Sequence, residues 1–488
     1  MTAPTGLRRI LSWHEDPWLQ ARAATTLGRF TVWCAAAGLL PDKWRLPVLP
    51  FLALAQFFPG RRIELLAIGS LWVLFDRLPL SVRALGPVRA LPGMLLVLAV
   101  PATVFLAARS FGRLPPWVRR YPDVILHVLL WGGAGLAYAL PAAVALRPGS
   151  LPWVLVRSLQ RLLPFLVWRC GYVMLSGKRG TAQKSRFRDH LFYCLPLWGG
   201  TLTPFGKGYD YLRQNRAEAR DQIAAAQLSG VKLLALSWIW TGAGMLLAAA
   251  VFGKPAGPLS ALLGERHLAV PRLAEAIAAG GALPLTLTTR WAAVVCELLF
   301  RTAELAASGH VIIGILRLFG FRVFRNTYKP LLAASLVDFW NRFYYYFKEL
   351  LVEFFFFPVY VSSFKRHPRL RIFAATMAAA AFGNLYFHLL RDFGQMLLVP
   401  REVAASRVGS RLFYSVLLGV GIFVSMLRER RRRGGAARPR GVWPALGRIR
   451  AIAGVWLFYS LIRVWSVEPV SLGFWQRSRF FLSLWGLT

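Results

Sequence analysis

Acidic residues are scarce in this chain of 488 residues, where 21 Asp and Glu stand against 60 Lys and Arg for a formal charge of +39. In a soluble protein that imbalance would point to nucleic acid. Here only 17% of the residues are charged and 56% are hydrophobic, and the cations gather in short connections, residues 178–188 and 428–440 above all. Cytoplasmic loops of membrane proteins carry such an excess of Lys and Arg, so nucleic acid is set aside as a partner. The same clusters attract anionic lipid headgroups; a cationic mouth that gathers an anionic substrate is the sharper alternative.

Cysteine is scarcer still. Cys34, Cys170, Cys194 and Cys296 lie far apart with no CxxC pair, which excludes a disulfide framework and a thiolate metal site and leaves them as small core residues. The opening MTAPTGLRRILSWHEDPW has two arginines but no apolar stretch of the signal-peptide kind, so insertion is expected to rely on internal spans. A P-loop, an HExxH pair, a GxSxG elbow and a dinucleotide glycine fingerprint are all missing, which removes sequence support for ATP hydrolysis and zinc proteolysis. Neither a metal nor a resident cofactor is expected.

Long apolar runs are what the chain has in abundance. Its mean hydropathy is +0.47, and apolar segments recur from 29–40 through 151–176, 229–252, 288–318 and 372–399 to 471–487. A span needs about 20 apolar residues, so these runs, the shorter ones counted as half-spans, predict an all-α polytopic integral membrane protein with about 10–12 helices in the bilayer. Residues 207–228 read as a charged, helix-prone connection, and 253–287, rich in Gly, Pro and Ala, as a loop able to hold an interfacial helix. The seven arginines of 428–440 read as a solvated linker before a terminal helical hairpin. The expected organisation is N-terminal membrane helices over 1–150, a core over 151–400 and C-terminal helices over 401–488.

Polar groups inside apolar segments cost roughly 2.5 kcal/mol or more each in lipid and so mark candidate sites. The richest stretch is 321–361, FRVFRNTYKPLLAASLVDFWNRFYYYFKELLVEFFFFPVYV. Read as a helix, it pairs Asp338 with Arg342 and puts Asn341 on one face with Tyr345 and Lys348, a polar stripe that must line a cavity or pack on protein. The second stretch is 372–399, where Asn384, His388, Arg391 and Asp392 share a face. Of the seven histidines, His14, His190, His267 and His367 lie in or beside polar loops, whereas His127, His310 and His388 fall in apolar segments. Intramembrane ionisable groups are functional candidates by default, and the physics of the sequence does not choose among those three.

These residues resemble the membrane-bound O-acyltransferase (MBOAT) family, in particular its bacterial branch involved in alginate acetylation and teichoic-acid D-alanylation. The likeness runs through Ser308-Gly309, Leu318-Phe319-Gly320, Asn326, Pro330 and the block from Ser335 to Tyr344, SLVDFWNRFY. Upstream, residues 190–212 resemble the family's apolar helix entering a Gly-Pro turn, with Thr203-Pro204 in its place. Downstream, His388 lies 44 residues beyond Tyr344, near the family's usual spacing for its histidine; Phe387-His388-Leu389 stands for Trp-His-Gly, and Tyr344 for a His or Asn.

The resemblance covers about 190–390 and implies a helical bundle around a central tunnel, with the histidine at mid-membrane depth. It implies that His388 is the general base by which a hydroxyl of a glycan, lipid or metabolite attacks an acyl thioester, acyl-CoA or an acyl carrier protein being the donor. Tyr344, Asn341 and Asn384 are the expected polar catalytic groups. Asn326, Lys329, Asp338, Trp340, Arg342 and Lys348 are the expected substrate-binding groups, the cations meeting donor phosphates and Asp338 pairing with Arg342. An extracytoplasmic partner transferase and a bacterial inner membrane belong to the same expectation. The competing readings are a transporter or flippase and a catalytically inactive subunit.

Overall fold

Apolar runs this long leave the backbone no hydrogen-bonding partner but itself, so helices dominate wherever the chain is described. The computed structural model describes residues 12–77, 87–143, 146–147, 150–194, 207–254, 266–280, 285–396, 399–433, 442–468 and 472–487. In chain order the helices are α1 (Pro17–Ala24), α2 (Thr26–Leu39), α3 (Asp42–Phe57), α4 (Arg62–Arg77), α5 (Pro87–Arg109), α6 (Pro116–Arg120), α7 (Pro122–Ala143), α8 (Leu151–Lys178), α9 (Phe187–Cys194) and α10 (Tyr209–Gln214). They continue as α11 (Arg220–Ala250), α12 (Leu273–Ala279), α13 (Leu287–Leu318), α14 (Leu336–Phe343), α15 (Tyr345–Leu351), α16 (Phe357–Ser362) and α17 (Pro368–Thr376). The last are α18 (Asn384–Met396), α19 (Arg401–Arg433), α20 (Val442–Arg463) and α21 (Phe474–Ser483). Among the described residues five helical stretches are long and apolar enough to cross a bilayer: 220–250, 287–318, 368–392, 401–431 and 445–463. The protein is an all-α polytopic membrane protein.

The chain forms two compact units, residues 1–237 with 308–325, and residues 238–307 with 326–488. In the first unit α11 and α13 meet backbone to backbone: a Cβ on Gly230 would stand 2.9 Å from the Gly314 carbonyl oxygen, and one on Gly314 would stand 3.2 Å from that of Gly230. Small residues permit this approach, the usual device where apolar packing alone cannot drive helices together in lipid. Gln227 adds a side-chain hydrogen bond to the Leu318 carbonyl at 3.0 Å.

In the second unit one apolar core joins Leu273, Ile277, Val294, Val464, Trp465 and Phe480, and another joins Phe339, Leu418, Val455, Tyr459 and Ile462. Two π-helical segments, Val352–Phe356 and Met377–Gly383, interrupt the helices around them and pack on one another. Gly383 is required there, because a Cβ would come within 2.6 Å of the Phe355 ring. Such π-helical widenings recur at functional sites, and this one ends where the His388 helix begins.

Two sequence expectations change. Residues 321–361 do not form one helix: α14 stops at Phe343, Tyr344 takes φ −142° and ψ 68°, and α15 starts afresh at Tyr345. Asn341 therefore does not share a helical face with Tyr345 and Lys348. The connection 207–228 is also shorter than expected, because α11 already starts at Arg220. The loop 253–287 does hold a short helix, α12, while residues 1–11, 195–206 and 434–441 of the segments discussed above lie outside the described residues.

Candidate functional site

Ser335 caps α14, its hydroxyl accepting the Asp338 N–H at 3.0 Å. The break at Tyr344 is built by the irregular segment before it. The Asn326 carbonyl accepts the Tyr345 N–H at 3.0 Å, its side-chain Oδ1 accepts the Tyr346 N–H at 3.4 Å, the Thr327 hydroxyl donates to the Phe343 carbonyl at 2.9 Å and the Tyr328 N–H donates to the Arg342 carbonyl at 2.6 Å. Backbone groups orphaned by ending one helix and starting another thus find partners without water. Asn326 and Thr327 are each 1% exposed, so Asn326 serves the backbone here.

The break turns Tyr344 toward a train of rings that ends on His388. Tyr344 and Trp340 each contact Phe347, at 5.7 and 5.5 Å between centroids; Phe347 lies 4.5 Å from Phe387, which adjoins His388. From α19, Tyr414 faces His388 edge-on at 6.0 Å, and its hydroxyl meets the amide of buried Asn384, one turn before the histidine. The His388 Nδ1 is enclosed and has no hydrogen-bond partner, so among the described residues no carboxylate backs that nitrogen.

Asp392, one turn beyond, is committed elsewhere. It accepts from Arg391 at 2.7 and 3.1 Å and from Arg407 at 2.7 and 3.1 Å, with Arg411 at 3.8 Å. Glu468 stands 3.1 Å from Arg391 and 3.9 Å from Arg411. Arg391, Arg407, Arg411 and Arg463 all act electrostatically on His388, so its surroundings are strongly cationic. Arg407, Arg411, Tyr414, Arg463 and Glu468 were missed by sequence reasoning. For Arg411 and Arg463 the signal was present: an arginine within an apolar segment, the same feature that singled out His388.

Of the residues expected from the sequence, Asn384 and His388 share one helix and both meet Tyr414, whereas Tyr344 and Trp340 reach His388 only through Phe347 and Phe387. Asp338 and Arg342 form the expected ion pair at 2.7 Å. Lys348 pairs with Glu349 and lies over Tyr345, Lys329 is exposed beside Tyr328, and Asn341 is exposed. The other two intramembrane histidines lie in the first unit: His127 packs on Trp168 at 4.9 Å and His310 is 4% exposed within α13. His190, read as loop-side, is 1% exposed, with Nε2 2.5 Å from the Ser185 hydroxyl. Among the described residues no group of His, Cys, Asp and Glu is arranged to hold a metal.

Compared with protein-family models and with curated proteins, the sequence matches none.

Proposed function

We propose that this protein is a membrane O-acyltransferase of the MBOAT type, acting in a bacterial inner membrane, with His388 as general base. The observation that carries the reading is the run of ring contacts from Trp340 and Tyr344, in the sequence block that resembles the family, through Phe347 and Phe387 to an intramembrane histidine whose Nδ1 has no hydrogen-bond partner. In the reaction the acceptor oxygen bonds to the thioester carbonyl carbon, His388 takes the hydroxyl proton, the C–S bond breaks, and the departing thiolate takes that proton from His388, which returns to its neutral form. With Nδ1 enclosed, Nε2 is the nitrogen that faces this work. The Asn384 amide and the Tyr344 hydroxyl are uncharged donors for the carbonyl oxygen as it gains charge. The arginines suit a donor or acceptor that carries negative charge.

General-base catalysis contributes roughly a hundred- to ten-thousand-fold. Purified wild type and His388→Ala are compared for transfer or thioester hydrolysis over a labelled acyl-CoA panel and an acylated carrier protein, with thermal stability recorded for both. The expected result is turnover by wild type that falls by that factor in an equally stable variant. Equal turnover in the two would remove His388 from the chemistry and assign the base to another group. No turnover with any donor would favour a transporter.

A further inference from the structure

The first unit contains a cavity of about 260 Å³ whose wall carries Lys184, Arg186, Arg188, Arg213 and Arg216, with Asp189 as the one acidic residue. The preference for cations in cytoplasmic loops accounts for their number but asks nothing of their arrangement. Here cations from two separate stretches, 184–188 before and within α9 and 213–216 at the end of α10, converge on one space.

Two of the five are held in place: Arg188 donates to Glu64 at 2.9 Å, and Arg216 faces Glu218 at 3.2 Å. Asp189 is engaged by the backbone, one of its oxygens accepting the Arg186 N–H at 2.8 Å. Lys184, Arg186 and Arg213 carry no ion pair among the described residues, and the Arg188 Nε is enclosed without an acceptor. The wall itself carries five cations against Asp189, and Glu64 and Glu218 partner two of the five from outside it, so the space is strongly positive. Tyr209 completes the wall; burial, then the Asp189 carboxylate, push its phenol up, so it stays a neutral donor.

We propose that this cavity binds a dianionic phosphate group, a phosphate monoester or the terminal part of a diphosphate. A carboxylate or a phosphodiester brings a single charge, whereas a monoester carries about −1.5 to −2 at pH 7 and answers more of that positive charge. Guanidinium forks meet phosphate oxygens two at a time. The volume lies just below the range of roughly 300–1,000 Å³ typical of whole-ligand pockets, so the phosphate enters and the rest of the ligand stays outside. The proposal stands independently of the chemistry at His388.

The test is calorimetric titration of the full chain, in a neutral detergent, with inorganic pyrophosphate. One site is expected, weakened at least tenfold in the triple variant Lys184→Gln, Arg186→Gln, Arg213→Gln. It should be unchanged in Lys365→Gln, Arg366→Gln, two exposed cations of the second unit. Thermal stability accompanies each variant, and the single Arg213→Gln, an exposed side chain, keeps the comparison open if the triple variant unfolds. Undiminished affinity in the cavity variants, or no binding by wild type at millimolar pyrophosphate, would overturn the proposal. Repeating the titration in neutral nanodiscs with and without phosphatidic acid identifies the source: competition means a lipid-borne phosphate, and its absence a soluble one.

Discussion

Asp392 and Arg407 are both buried, and the carboxylate accepts two hydrogen bonds from that guanidinium, at 2.7 and 3.1 Å, tying the His388 helix α18 to α19. Breaking a buried pair from one side leaves the other charge uncompensated, at a cost of about 3–5 kcal/mol. Asp392→Asn should therefore lower the thermal midpoint strongly. The double variant Asp392→Asn, Arg407→Met should regain part of that loss, as a double-mutant cycle would report. Equal midpoints for wild type and Asp392→Asn would show that the pair holds nothing together.

Asn326 is expected to act on stability before it acts on activity. Asn326→Ala removes the Oδ1 acceptor of the Tyr346 N–H and leaves a buried donor unsatisfied, a loss of about 1–3 kcal/mol. A residue that only binds substrate would leave the unfolding midpoint where it is. Measured together, midpoint and turnover tell the two roles apart.

Gly314→Val should separate α11 from α13. The added Cβ would stand 3.2 Å from the Gly230 carbonyl and 3.1 Å from Leu234, and overpacking of this kind costs roughly 1–3 kcal/mol. Gly244, whose Cβ would meet only Ala303 at 3.8 Å, supplies the control: Gly244→Ala should leave the midpoint unchanged or slightly raised.

His14 should make the fold acid-sensitive. Its imidazole lies 3.4 Å from the Lys232 ammonium. Burial first, then Lys232, bring its pKa down to about 4 from an ordinary 6.5. The unfolded chain then binds the proton more readily, so this contribution is complete above pH 6.5 and is lost as pH falls toward 4. At pH 5 the loss is about 2 kcal/mol, from about 1.4 kcal/mol per pKa unit. His14→Gln should flatten the fall in midpoint between pH 7 and pH 5; an unchanged slope would assign the acid sensitivity to other groups.

Much of the site was legible in the sequence because lipid makes polarity conspicuous. Asn384, His388, Arg391 and Asp392 stand out within an apolar run, and helical periodicity alone puts them on one face. The Asp338–Arg342 pair follows from the same periodicity. The break at Tyr344 was not legible, since 336–351 reads as continuous amphipathic helix. What ends α14 is the insertion of Thr327 and Tyr328 against its last carbonyls while Asn326 takes up the first N–H groups of α15, a contact between segments.

The sequence by itself determined that the chain is helical and crosses a membrane, because apolar runs in lipid have no other way to satisfy their backbone. It also determined which helices carry ionisable groups. Only the tertiary structure decided which of those groups meet. Asp392 draws in Arg407 from 15 residues on, Tyr414 comes to His388 from the next helix, and Lys184 and Arg213 line one cavity from separate segments. Periodicity reports a helix face, whereas a site depends on which faces pack together. That choice rests on close approaches such as Gly230 to Gly314 and Gly383 to Phe355, which become visible only when the helices are assembled.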